Sequence, residues 1–136
     1  MSKIFSNFQC VTALWNYSQD GGAFTAGAPL GIFFTAPVRI FMCCATAREA
    51  PTSAGGGRIT MGYRQTGVAI PIQNTVAFMA TTSMAQLPQD VPFVRNNLLL
   101  NPVSLLFGFQ LVMFSGIAPI DSGIIQFDIF YIPTEI

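Results

Sequence analysis

Apolar and polar side chains alternate along much of this chain, and the clearest alternation lies near its end. Residues 124–132 read IIQFDIFYI, and every second side chain is apolar. This two-residue period predicts a strand with one buried face and one mixed face, on which Gln126 and Asp128 lie. Because so apolar a strand needs a partner on each side, we expect it in the middle of a sheet. Its buried face would consist of Ile125, Phe127, Ile129 and Tyr131.

The same period recurs in other segments, which are separated by loops rich in Gly, Pro and Ser. Residues 104–115 form a second long strand, and the turn at 116–123 would pair it antiparallel with 124–132. In the segment 38–47, the pattern places Val38, Ile40, Met42 and Cys44 on one face. Loops are expected at 16–22, 48–57, 67–71 and 81–92, and further strands at 5–17, 31–35, 58–66, 72–79 and 93–100.

No stretch carries the apolar stripe of a long helix. Seven or eight short strands joined by turns, in a chain of 136 residues, predict a single all-β domain spanning residues 1–136. The expected fold is an antiparallel β-sandwich, with a jelly roll as the favoured arrangement.

Charged residues are scarce, and this changes the expected surface. The chain has 12 (six basic and six acidic), where an average chain of this length would carry about 34. Apolar residues make up 51%. We therefore expect other chains to bury part of the surface, although a monomer covered by Thr, Gln and Asn is the simpler alternative.

Several functions lack their usual residues. The net charge is zero and the basic residues are dispersed, which argues against nucleic-acid binding. The chain has no His, no nucleophile motif and no metal-ligand spacing, so we expect no catalysis, no cofactor and no metal. The uncharged run 96–120 is interrupted by Asn, Pro and Gly, which favours a buried strand over a membrane span.

The cysteines indicate a reducing compartment. Cys10, Cys43 and Cys44 are odd in number, and adjacent cysteines in a strand point to opposite faces. Buried free thiols are the favoured interpretation, with a bridge from Cys10 to one of the others left open. The first ten residues lack the apolar core of a signal peptide.

Asp128 is unusual because it lies within an apolar strand. It is either a paired, buried carboxylate or an outward charge that opposes incorrect strand pairing. Contacts between subunits would use opposite charges, and the candidate interface residues are Arg58, Arg64, Asp90, Asp121 and Asp128. A sugar-stacking face could instead come from Trp15, Tyr17 and Tyr63.

In layout, the chain resembles small jelly-roll subunits of virus and phage particles, including capsid decoration proteins. The resemblance lies in the Gly-rich entry into Phe34-Thr35-Ala36-Pro37 and in the closing segments LLFGFQLVMFS and IIQFDIFYIP. It implies a self-assembling structural subunit of a virion, assembled in the cytoplasm with copies of itself, trimers being common, and with other particle proteins. A lectin-like module that binds carbohydrate or protein is the alternative.

Overall fold

The computed structural model describes residues 9–22, 27–94, 103–105 and 108–134. In this part of the chain, two antiparallel sheets pack against each other, so the predicted β-sandwich is confirmed. Sheet A contains, in spatial order, β1 (Gln9–Asn16), β9 (Ser122–Pro133), β3 (Val38–Thr52) and β6 (Pro92–Phe93); β7 (Val103–Leu105) also pairs with β3. Sheet B contains β2 (Ala28–Phe34), β8 (Phe109–Gly116), β4 (Arg58–Gln65) and β5 (Gln73–Ser83).

The strand pairs nest along the sequence. Strand β1 pairs with β9, β2 with β8, β3 with β6 and β7, and β4 with β5. The pairs β3–β9 and β4–β8 then join these ribbons into the two sheets. The described segments also include a four-residue helix α1 (Tyr17–Asp20), in the predicted loop 16–22, and a 3₁₀ turn (Met84–Gln86).

The closing strand β9 is central in its sheet, as its pattern predicted. It lies between β1 and β3, and its inward side chains Ile125, Phe127 and Ile129 are completely buried. Tyr131 continues this face at the end of the strand and is half-buried. The core between the sheets is filled from both sides; its largest buried side chains include Trp15, Ile40, Ile59, Met61, Phe78, Leu111, Met113 and Phe127.

The predicted hairpin between 104–115 and 124–132 is wrong. Strand β8 lies in sheet B, between β2 and β4, whereas β9 lies in sheet A. The predicted strand is also divided, because β7 pairs with β3 in sheet A and β8 begins only after Gly108, which has a φ of 85°. Apolar alternation identifies strands but not their sheets, and the connection from β8 to β9 crosses between the two.

Strand β3 differs from its predicted pattern in phase and length. A register shift between Ile40 and Met42 inserts an extra residue, so Cys43 and Ala45 turn inward while Met42 and Cys44 face outward. The strand also continues to Thr52, into the predicted loop 48–57, and the chain then crosses to sheet B, where β4 begins. Residues 53–57 therefore connect sheet A to sheet B.

Other boundaries also differ from the expectation, and β2 begins at Ala28, three residues before the predicted strand 31–35. Strand β5 continues to Ser83, into the predicted loop 81–92. Of the strand expected at 93–100, the structure describes Phe93 in β6 and Val94, while 95–100 lie outside the described residues. Residues 5–8 and 106–107, which were included in predicted strands, also lie outside them.

Candidate functional site

Asp128 lies on the outer face of sheet A, in a network of polar side chains. Its register neighbours are Thr12 on β1 and Cys44 on β3. The Thr12 hydroxyl donates to Asp128 Oδ1 at 2.6 Å, and Gln126 Nε2 donates to both carboxylate oxygens at 3.1 Å. Asp128 is thus an outward-facing, half-buried carboxylate with two neutral donors. Whether it opposes incorrect pairing stays a prediction.

The network extends to the next loop through Arg48. Arg48 Nε donates to Gln126 Oε1 at 3.1 Å, and its Nη1 lies 3.4 Å from Asp90 Oδ1. The side chains of Arg48 and Asp90 are 49% and 60% exposed, so this ion pair contributes little stability. The pair connects Asp90 to the polar network of its own chain.

Asp121 is engaged within a loop. Its Oδ2 accepts a hydrogen bond from the Ala54 N–H at 2.6 Å, and its own N–H donates to the Thr52 carbonyl at 2.7 Å. These bonds connect the β8–β9 crossing to the β3–β4 crossing at one end of the sandwich. The carboxylate therefore organises the loop in the isolated chain.

The two candidate arginines lie on sheet B. The strands of this sheet contain Arg58 and Arg64 and no acidic residue. Arg64 Nε donates to Gln73 Oε1 at 3.0 Å, and its guanidinium carbon is 5.5 Å from the centre of the Phe114 ring. Arg58 is exposed and lines a groove of about 350 Å³. Its other lining residues are Thr60, Thr75, Thr81, Phe114, Ser115, Gly116 and Ile117.

The five candidate interface residues are therefore not brought together within one chain. Arg58 and Arg64 belong to sheet B, Asp90 and Asp128 to the side of sheet A, and Asp121 to a loop at one end. Opposite charges on separate surfaces can meet only between two chains, and their role in such a contact stays a prediction.

The cysteines are free thiols with different environments. Cys43 is buried and contacts Met61 Sδ at 3.4 Å; burial raises the pKa of its thiol strongly. Cys10 is exposed at the surface, yet partial desolvation and then the Asp128 charge raise its pKa as well. Strand β9 separates Cys10 from Cys43 and Cys44 by two strand spacings, or about 9.6 Å. This exceeds the reach of a disulfide, so the bridge left open by the sequence does not form within the chain.

The candidate sugar-stacking residues do not form one face. Trp15 is only 1% exposed, and its indole N–H donates to the Gly21 carbonyl at 3.0 Å. Tyr63 packs edge-on against Phe109, with ring centres 5.3 Å apart. Of the three residues only Tyr17 is exposed. The prediction of a sugar-stacking face that includes Trp15 is therefore wrong.

One feature that the sequence pattern missed is an apolar end of the sandwich. Residues 68–72, which join β4 to β5, present Val68, Ile70 and Ile72 to solvent, and Ile70 is 90% exposed. A neighbouring pocket of about 200 Å³ has Phe34 and Tyr131 in its wall, with ring centres 5.2 Å apart. The available signal was the presence of two large aliphatic residues, Val68 and Ile70, inside the predicted turn 67–71.

Among the described residues, no group of three or more Cys, Asp or Glu side chains could hold a metal ion. Within those same segments, no helix is long and apolar enough to cross a membrane. No protein-family model matches the sequence, and no curated protein matches it.

Proposed function

We propose that this chain is a structural, non-catalytic subunit of a virus or phage particle, acting as a coat, cement or decoration protein. It assembles in the cytoplasm with copies of itself and with other particle proteins. Its localisation is the virion, and it does not bind the genome directly.

The nested strand pairs support a jelly roll as the finer fold. In a jelly roll, a long antiparallel ribbon winds so that its successive pairs divide between two sheets. The order β1-β9-β3-β6 in one sheet and β2-β8-β4-β5 in the other fits such winding. Because jelly rolls are frequent both in viral capsids and in lectins, the fold does not distinguish a structural subunit from a sugar-binding module. The surface of the domain has to distinguish them.

The exposed apolar end is the observation that carries the assembly proposal. Large exposed apolar patches on a soluble domain mark interaction sites. Residues 66–72 contain no charged side chain, and neither does the lining of the adjacent pocket. With 12 charges in 136 residues, the chain has little long-range repulsion to oppose such contacts.

The test is the particle mass of the purified chain, measured by light scattering at two concentrations and accompanied by electron microscopy. We expect discrete oligomers or closed particles whose mass is a fixed multiple of 14.7 kDa. A monodisperse monomer at every concentration would overturn the proposal.

A lectin-like module is the second candidate, and the groove beside Arg58 favours it. Its volume of about 350 Å³ lies at the lower end of the range for small-ligand sites, roughly 300–1,000 Å³. One guanidinium and three threonine hydroxyls suit an acidic sugar. The test is binding to a glycan array. Binding that is lost in Arg58→Ala and kept in Tyr17→Ala would support this function over the structural one.

A further inference from the structure

The loop at 68–72, called here the apolar knob, is held firmly at its base. The Gln65 N–H donates to the Ile72 carbonyl at 2.8 Å, and the Ile72 N–H donates to Gln65 Oε1 at 3.2 Å. The Thr66 N–H and hydroxyl both donate to the Gly108 carbonyl, at 2.7 and 2.9 Å. The knob therefore projects from an ordered base and leaves Ile70 in solvent.

The pocket that has Phe34 and Tyr131 in its wall, called here the end pocket, has the size and chemistry to accept an isoleucine side chain. Its lining is mostly apolar and uncharged, and consists of Phe33, Phe34, Ala36, Val38, Tyr131 and Pro133 together with the polar residues Gln9 and Thr35. Its volume of about 200 Å³ is smaller than the roughly 300 Å³ at which small-ligand sites begin, so it suits a single aliphatic side chain. Phe33 is 58% exposed and extends the apolar surface.

The knob and the pocket lie at the same end of the sandwich. Gly108, whose carbonyl holds Thr66 at the base of the knob, donates its N–H to the Phe34 carbonyl at 2.8 Å. Phe34 is in turn part of the pocket. Ile70 is 90% exposed, so it does not fill the pocket of its own chain.

We propose that two copies of this chain dock end to end about a two-fold axis, with Ile70 of each copy in the end pocket of the other. A two-fold contact is self-complementary, so one surface must carry both the projection and the hollow. Both are present at this end, and neither carries a charge that would be left unpaired. The proposal rests on the proposed self-assembly and names one of its contacts.

Ile70→Ser tests the contact, with Ile117→Ser as its matched control. Ile117 is also highly exposed, at 77%, but it follows β8 at the far end of that strand, about 30 Å from Gly108. The two-fold axis uses Ile70 twice, so Ile70→Ser should raise the dimer dissociation constant about 100-fold, or about tenfold for each contact. Ile117→Ser should leave it within about twofold. Equal changes in the two variants would contradict the proposal.

Cross-linking tests the geometry directly. In a Cys10→Ser background, two differently tagged chains are co-expressed, one with Ile70→Cys and the other with Phe33→Cys. Mild oxidation should give a dimer that contains both tags. The pair Ile117→Cys with Phe33→Cys should give none. Far-UV circular dichroism and thermal melts confirm that each variant is folded.

The outcomes separate this contact from the proposed function. An oligomeric wild type with no Ile70 effect and no mixed cross-link overturns the end-to-end contact but leaves assembly through another surface. A wild-type monomer throughout overturns both. A third outcome is that the wild type is monomeric and binds phosphatidylcholine vesicles, and that Ile70→Ser abolishes this binding. That result would show that the knob contacts lipid, and it would also overturn the dimer. An intrachain cross-link between Phe33→Cys and Phe5→Cys, without dimers, would assign the pocket to residues 1–8 and overturn it as well.

Discussion

At the scale of single residues, Asp128 shows why a carboxylate is compatible with an apolar strand. Alternation alone placed it opposite the buried face, and it lies there. The sequence could not reveal its donors, because Thr12 is 116 residues away and becomes a neighbour only through the β1–β9 register. Once donors are supplied, the half-buried charge no longer requires an ion partner.

Replacing Asp128 should lower the free energy of unfolding more than replacing Asp90. In Asp128→Asn, one amide NH₂ would face the Gln126 Nε2 donor, and Gln126 cannot rotate without losing its bond from Arg48. We expect the free energy of unfolding in urea to fall by about 1 kcal/mol. Asp90→Asn removes only an exposed ion pair, so its effect should stay below about 0.5 kcal/mol. Equal losses would show that the network does not hold Asp128.

Cys43 should make stability fall at high pH. Burial raises its pKa far above the ordinary value of 9.0, so the folded chain keeps a proton that the unfolded chain releases above that pH. The stabilisation relative to the unfolded state is complete below pH 9.0 and decreases above it, by up to about 1.4 kcal/mol per pH unit. Urea titrations at several pH values should show the wild type approaching Cys43→Ala above pH 9.0. A constant difference between the two would contradict this assignment.

At the scale of elements, strand positions were more predictable than their partners. The pattern of β9 placed Ile125, Phe127 and Ile129 correctly in the core. The bulge in β3 could not be read from the sequence, since the residues that follow it, 42–47, are mostly apolar in either phase. The apolar end was missed for a related reason: 67–71 has turn residues, and a turn pattern says nothing about what the turn presents.

A glycine in β4 should prove indispensable for the pairing of sheet B. Between Met61 and Tyr63, the partner strand β5 bulges, and a Cβ on Gly62 would overlap the Asn74 carbonyl. Gly62→Ala should therefore lower the free energy of unfolding by about 3 kcal/mol. Gly116→Ala is the control, because a Cβ at that position meets nothing within 4 Å. This substitution should raise the free energy of unfolding slightly, by up to about 1 kcal/mol. Denaturant titration measures the free energy of unfolding of both variants. If Gly62→Ala is no less stable than Gly116→Ala, then β5 adapts to the added methyl group.

At the scale of the whole molecule, the strands of sheet B carry only Arg58 and Arg64, while the candidate acidic residues Asp90 and Asp128 lie on the side of sheet A, which also carries Arg39, Arg48 and Glu49. Such an arrangement lets one chain meet another with opposite charges in register. It would set the orientation of a contact more than its strength, since exposed pairs contribute little.

The assembly should therefore persist when salt is raised from about 0.05 M to about 1 M, where the Debye length falls to about 3 Å and exposed pairs are screened. Burial of Ile70 and Phe33 is not weakened by this screening, because the apolar term depends on the surface area removed from water. Light scattering at both salt concentrations should give the same mass. Ile70→Ser should lower that mass at both, whereas Arg58→Gln should change the association rate more than the mass. Dissociation of the wild type at high salt would mean that pairs such as Arg58 with Asp90, rather than the apolar end, hold the chains together.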